Sequence, residues 1–291
     1  MKWRSLFLAG VAAMVPTVAL ANCGSIPFVA EATVYRPTQR AVTAFDGREQ
    51  ILLLSTDLRA DRPTNVLEVL PFPSEPKVEV ADDELFQRAR QLIEDRLTEQ
   101  PASVMAAVRG GPGGHDAEFH ERIDVGNSVV VRLTDSRSFV AWVTDHLRAA
   151  GVDDPSVSTR VKFLARDYAR DGFTWFVFNV IELGPEMVAR QSVRYRFATP
   201  RFYYPLRIMG TDSGATTIRL VLVSPRLVQM PDLRPGRAVL LHQPLPVGAS
   251  DLKYLDAGLA AFLEDEPQQL RLWEIKGALG TMRRDVWADW F

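Results

Sequence analysis

The sequence predicts an α+β fold of mainly antiparallel strands with about four amphipathic helices, and three observations carry that prediction. Short β-prone runs and stretches of helical period are segregated along the chain rather than strictly alternating, which disfavours a doubly wound parallel sheet. No period of about 20 to 50 residues repeats, which argues against solenoids and propellers. The composition is that of a globular protein, with 291 residues, 47% hydrophobic, 24% charged, 18 Gly and 19 Pro. That lies outside the collagen-like, disordered and disulfide-rich classes.

Taken in order, residues 33–35, 40–46, 50–55 and 64–70 are β-prone, and Asp46-Gly47 marks a hairpin between the second and third. The proline-studded stretch 71–76 ends pairing. Asp82 and Asp83 are N-cap residues for a first helix whose apolar face is Leu85, Phe86, Ala89, Leu92, Ile93 and Leu97. A strand over 123–133 leads into a second helix, 136–150, with Asp135 as cap and Gly151 as terminator. Val157, Val161, Leu164, Ala165 and Tyr168 mark a third helix that stops at Gly172. Strands are then expected at 173–183, 189–199, 202–209, 216–223 and 237–242, and a fourth helix at 252–263 after Asp251.

Residues 1–21 read as a signal peptide. Lys2 and Arg4 form a basic start, 6–20 an apolar region, and Ala19-Leu20-Ala21 the small-residue pattern of a cleavage site. The apolar region is shorter than the roughly 20 residues of a membrane span, and Pro16 interrupts it. Cleavage after Ala21 would release a periplasmic or secreted chain with no transmembrane segment. It would take the length from 291 to 270 and the net charge from −2 to −4. So small a charge provides no field to recruit nucleic acid. Residues 173–183 are the most apolar remaining run, but they are few and include Asn179 and Glu182. The terminal Phe291 suits an outer-membrane barrel, yet Asp285 and Asp289 stand where its last strand should be apolar.

The single cysteine, Cys23, excludes an intrachain disulfide and a Cys-rich zinc site. Leu20-Ala21-Asn22-Cys23 resembles a bacterial lipobox, in which Cys23 would be lipidated and tether the chain. Asn22 departs from the Gly, Ala or Ser that pattern takes before its cysteine. The other reading is an ordinary small residue near a mature N-terminus.

Gly110-Gly111-Pro112-Gly113-Gly114 lies in a stretch without periodicity. It divides the chain into an N-terminal α+β portion (22–108), a Gly/Pro-rich linker (109–121) and a C-terminal α+β portion (122–291). No Lys-Ser/Thr follows those glycines, so they are not a P-loop.

Several segments in this order resemble a bacterial and archaeal family known only as domain of unknown function 2330. They are Cys23-Gly24, Leu67-Glu68-Val69-Leu70-Pro71-Phe72-Pro73-Ser74, Phe139-Val140-Ala141-Trp142-Val143, Asp171-Gly172-Phe173-Thr174-Trp175-Phe176-Val177-Phe178, Tyr195-Arg196-Phe197 and Tyr203-Tyr204-Pro205-Leu206. The resemblance implies an exported protein of unassigned activity. It brings no catalytic residues.

Candidate chemistry is sparse. His115, Asp116, Glu118, His120 and Glu121 are the densest group of metal-ligand types, suited to a divalent ion such as zinc in a metal-dependent extracytoplasmic hydrolase. Their spacing departs from the zincin motif, because histidines five apart are about 140° away from each other on a helix. A solvated polar linker leading into a strand explains the same residues and is the favoured reading. His146 follows Trp142 by four, the spacing of a stacked helical pair, and His242 ends an apolar strand. Gly-x-Ser-x-Gly is absent. Asp212-Ser213-Gly214-Ala215 resembles a retropepsin motif, but the apolar pair that should precede Asp212 is replaced by Gly210-Thr211. A hairpin turn with Gly214 at positive φ is the expected reading.

The last candidate is a surface. From Ser192 to Phe197 the aromatic Tyr195 and Phe197 alternate with Arg194 and Arg196, and Tyr203 continues the mixture. Such a strand suits an anionic envelope polymer or a protein partner through Arg forks and aromatic stacking. The favoured reading is an ordinary half-buried strand pair whose arginines solvate the outer face, since the chain holds 29 Arg against 5 Lys throughout. The functional expectation is an exported envelope protein with a non-enzymatic binding or structural role and no cofactor.

Overall fold

The computed structural model describes residues 24–99, 122–123, 128–229, 238–263 and 267–290. Its centre is a large, mostly antiparallel sheet. β2 (Val34–Phe45) and β3 (Glu49–Ala60) form a hairpin. Beside β2, and parallel to it, runs β12 (Ala215–Ser224), followed by β16 (Gln268–Ala278). The outer edge of β16 carries β14 (Ala238–Leu240) and β15 (Leu245–Val247). On the other side of β3 lie β10 (Val193–Ala198) and then β5 (Lys77–Val80). β9 (Val188–Arg190) pairs further along β3, with β6 (Arg122–Ile123) beside it.

A second sheet has the order β1 (Ser25–Pro27), β4 (Thr64–Phe72), β8 (Trp175–Leu183), β7 (Val129–Arg132). A small third sheet joins β11 (Phe202–Tyr204), β17 (Val286–Trp290) and β13 (Val228–Gln229). The described helices are α1 (Leu85–Thr98), α2 (Ser136–Ala149), α3 (Thr159–Arg170), α4 (Ala249–Leu255) and α5 (Ala257–Leu263). None of them is long and apolar enough to cross a membrane.

Side-chain alternation sorts these elements into four layers. One face of the large sheet, with Val42, Ala44, Ile51, Leu53, Val221 and Val223, is covered by α1, α4 and α5. The opposite face, with Leu52, Leu54, Tyr195 and Phe197, meets the second sheet. There Phe72 lies 5.0 Å from Tyr195 and 5.1 Å from Phe197, centroid to centroid. The far face of the second sheet carries Phe176 and Phe178 against Phe139 and Trp142 of α2. The central strands of both sheets are therefore covered on both faces, which is why residues 51–54 of β3 and 175–178 of β8 read as continuous apolar runs rather than alternating ones. Burying one such Phe is worth about 1.5 to 3 kcal/mol.

The α+β expectation holds, with mainly antiparallel pairing. Strands from both sides of residues 109–121 share both sheets: β2 pairs β12, β3 pairs β10, and β4 pairs β8. The described residues on the two sides of the linker thus contribute to the same cores. The linker itself lies outside the described residues.

Several expected elements take different forms. The 33–35 and 40–46 runs are one strand, β2, with a register shift between Tyr35 and Thr38 where Pro37 cannot donate to the ladder. The 123–133 strand is two pieces in different sheets. The 202–209 strand stops at Tyr204, before Pro205, and becomes a 3-10 turn over Arg207–Thr211. The 252–263 helix is two helices broken at Asp256, whose backbone is extended (φ −167°, ψ 130°) and whose carboxylate accepts from Leu259 N at 3.0 Å. Strands β16 and β17 were not expected at all. The second helix begins as anticipated, with Asp135 accepting from Ser138 N at 2.7 Å in a capping box. The first helix is entered at Glu84 instead, Asp83 being drawn away to Ser192 N at 2.8 Å.

Candidate functional site

Two sequence-level oddities converge between the sheets. Arg36 immediately precedes Pro37 at the irregularity of β2, and Glu68 interrupts the apolar run Leu67-Glu68-Val69-Leu70 of β4. An even-numbered position on β4 faces the large sheet beside Leu70 and Phe72, so Glu68 enters the inter-sheet core. The bulge of β2 gives Arg36 a matching direction. Arg36 and Glu68 are each 1% exposed.

Arg36 uses its whole guanidinium. Nη1 donates to Glu68 Oε1 at 3.1 Å, Nε to Asp212 Oδ2 at 3.0 Å, and Nη2 to Ser25 Oγ at 3.0 Å. The other Glu68 oxygen takes an ion pair from Arg190 of β9 and a hydrogen bond from Asn179 Nδ2 of β8 at 3.2 Å. Asp212 Oδ1 accepts the backbone N–H of Gly24 at 3.3 Å. Two cations and two anions therefore balance in a buried interior, and they tie β1, β2, β4, β8 and β9 to the segment after the 3-10 turn. Burial would raise the Glu68 carboxyl, but Arg190 and Arg36 outweigh it and hold it below its ordinary value. Burial pushes Asp212 up to about 6 against the pull of Arg36.

The hairpin expected at Asp212 is corrected here. Residues 202–204 pair with β17 and not with β12, and Asp212 is a buried partner of Arg36. Gly214 does take a positive φ, +88°.

A second buried carboxyl, Asp285, anchors the start of the same 3-10 turn. Its Oδ1 accepts from Arg207 N at 2.8 Å and from Tyr168 Oη at 3.0 Å. Arg207 Nη2 lies 3.3 Å from Asp285 Oδ2, near enough for an ion pair but poorly aligned for a hydrogen bond. The guanidinium lies 3.9 Å over the Tyr168 ring. Burial pushes Asp285 up to about 6, opposed by Arg207. Beside this turn sits an apolar cavity of about 10 Å³, lined among others by Ile26, Val69, Phe139, Tyr168 and Ile208. It has room for one water at most and no polar wall to hold it.

The expected site residues are placed as follows. Cys23 and the group His115, Asp116, Glu118 and His120 lie outside the described residues. Among the described residues no group of three or more His, Cys, Asp or Glu is placed to hold a metal ion. The strand of Tyr195 alternates as expected, but its ring side is interior, with Tyr195 and Tyr203 at 0% exposure. Arg194 pairs with Asp256 at 2.5 Å and Glu79 at 3.4 Å, and Arg196 with Glu49 at 2.6 Å while lying over Phe262. The arginine side thus clamps the α4–α5 break to the sheet. Arg194→Met is expected to cost about 1 kcal/mol in urea unfolding, since the pair is only partly desolvated. His146 stacks on Trp142 at 4.9 Å. His242 is 4% exposed, donates from Nδ1 to Gln243 O at 2.6 Å, and has its pKa lowered by burial.

No curated protein matches the chain. The crystal structure of baculovirus P35 is similar with a TM-score of 0.45 and 8% identity, over 89% of this chain and 97% of that one. A likeness that weak transfers nothing to this protein. A family described as an uncharacterized protein conserved in bacteria, domain of unknown function 2330, matches residues 17–232. With that match covering most of its length, and with the family's segments forming β4, α2, β8 and β10 of one core, the chain belongs to this uncharacterized bacterial family.

Proposed function

We propose that the protein is exported and serves in the cell envelope as a non-enzymatic binding or structural protein. The observation that carries this reading is the sequence pattern of residues 1–21. Residues 1–21 have the charge, apolar and small-residue pattern of a leader. From Gly24 onward the backbone is committed to the core: Gly24 N donates to Asp212, and Gly24 O accepts from Val69 N at 2.9 Å. A structural role is supported by the use of the strongest charge cluster, whose groups bind one another across two sheets.

Intact mass of the protein isolated from its native cell tests the reading. A chain starting at Asn22 is expected, and one starting at Met1 overturns export. A mass showing acylated Cys23 at the terminus would make the protein a tethered lipoprotein. A stoichiometric divalent ion on the mature protein would move it to the hydrolase class, with His115, Asp116, Glu118 and His120 as ligands. If an envelope polymer is the partner, Arg194→Gln with Arg196→Gln should weaken retention on an anionic polymer. Unchanged retention removes that site.

A further inference from the structure

We propose that β7 is a dimerisation edge, through which two copies of the chain join their second sheets into one continuous antiparallel sheet.

Ladder parity fixes which backbone groups of β7 are free. Leu133 N donates to Thr174 O at 2.7 Å, so residues 129, 131 and 133 commit their N–H and C=O to β8. Ser128, Val130 and Arg132 therefore direct theirs away from β8. Ser128 is held in line with the ladder, its Oγ donating to Asn179 Oδ1 at 2.5 Å. β7 is the last strand of its sheet, and among the described residues no backbone hydrogen bond reaches these outward groups. Side chains alternate along the same strand. Val129 and Val131 share the face of Phe178 and Phe176, whereas Val130 and Arg132 share that of Val177 and Trp175. Val129 is 42% exposed.

The other described edges of the two main sheets are guarded against pairing. β1 ends in Pro27, which has no N–H to offer, and β15 carries Pro246 at its centre. β5 follows Pro76 and carries Lys77 and Glu79. β14 and β6 offer only three and two residues. β7 has neither proline nor charge before Arg132, and its three consecutive valines have high strand propensity. An edge left open in that way is a template for another strand.

The strand that fits it is a second β7. A two-fold axis through Val130 sets Val130 against Val130 of the second copy and Ser128 against its Arg132, and the reverse. Each of those pairs exchanges two backbone hydrogen bonds, using every outward group named above. Between them Val129 faces Val131 of the second copy, which covers the exposed valine. The one charge, Arg132, meets a serine and not its own like, so the register carries no repulsion. Residues 128–133 hold no carboxylate to attract a basic foreign strand. The same patch is used by both copies, as a two-fold interface requires. Pairing over so few residues is small beside the roughly 1,200 to 2,000 Å² of a stable interface, so the dimer is reversible, with a dissociation constant in the micromolar range.

Sedimentation velocity of the purified protein between about 1 and 200 μM tests this, and a reversible monomer–dimer equilibrium is expected. In the dimer, hydrogen exchange at Val130 and Arg132 N–H should slow at least about tenfold, while Val131 N–H, already paired with β8, stays slow at every concentration. Val130→Lys and Val130→Glu each set like charges across the axis, and each should raise the dissociation constant at least about tenfold. An equimolar mixture of the two should dimerise again, because opposite charges then meet. A wild-type chain that stays monomeric throughout overturns the inference. So does one whose Val130 N–H slows only when an unrelated extended peptide is added, which gives the edge to a foreign strand. A dimer that both variants retain, or a mixture of folded variants that does not recover, overturns the two-fold pairing at Val130. The exchange measurement needs no variant, and rates at Val130 and Arg132 that do not depend on concentration overturn the inference by themselves.

Discussion

Replacing Glu68 by Ala is expected to destabilise the fold by about 3 to 5 kcal/mol, the cost of stranding buried charge by removing one partner. Glu68 is the shared anion of Arg36 and Arg190, both almost completely buried. Without it, two guanidinium groups face one carboxylate, Asp212, in a buried space between the sheets. The charge count gives the measurement its discrimination. Glu68→Ala combined with Arg190→Met leaves Arg36 and Asp212 as one balanced pair, so the double variant should unfold at higher urea concentration than Glu68→Ala alone. Strict additivity of the two single losses would show that local packing, not charge balance, sets the cost.

Lowering the pH from 7.5 to 5.5 is expected to stabilise the protein. Asp212 and Asp285 have folded-state pKa values near 6 against an ordinary 3.8, and both are pushed there first by burial. A carboxyl raised in this way contributes stability that is complete below the unfolded value and is lost as pH rises through the folded one. The full swing is up to about 3 kcal/mol per group, of which on the order of 1 kcal/mol per group falls between pH 7.5 and 5.5. For a chain of this size that raises the thermal midpoint by roughly 3 to 6 °C. Glu68 acts in the opposite sense, its depressed pKa making stability fall below about pH 4.5. The optimum should therefore lie between about pH 4.5 and 6. Asp212→Asn with Asp285→Asn should flatten the upper part of the profile. A wild-type midpoint that does not change between pH 5.5 and 7.5 would contradict the assignment.

Legibility in the sequence followed the range of the interactions. The cap at Asp135, the helix faces of α2 and α3, and the turn into β3 depend on residues within a few positions of one another, and local spacing reveals them. The same logic overran at 252–263, where one apolar face continues across Asp256. What breaks that helix is the extended backbone at Asp256, held by Arg194 from a distant strand. Strand β16 is not legible locally because Gln269, Arg271 and Glu274 dilute its apolar pattern, and its place in the sheet comes from β12.

The charge network was written in the sequence only as anomalies. A glutamate inside an apolar strand and an arginine before a proline in a β-run are both visible, but 32 residues separate Arg36 from Glu68 and 176 separate it from Asp212. Nothing in a linear pattern couples positions so far apart.

By itself the sequence determined the α+β class, the basic, apolar and small-residue pattern of 1–21, and the apolar faces of α2 and α3, because composition, charge and period are local properties of the chain. Only the tertiary structure decided that both sides of the Gly/Pro-rich stretch share the same sheets and that Tyr195 and Tyr203 are interior. It also decided that Asp212 is a buried ion-pair partner and not a turn residue. Each of these depends on which strands lie side by side, and that is settled by burial of both sheet faces at once.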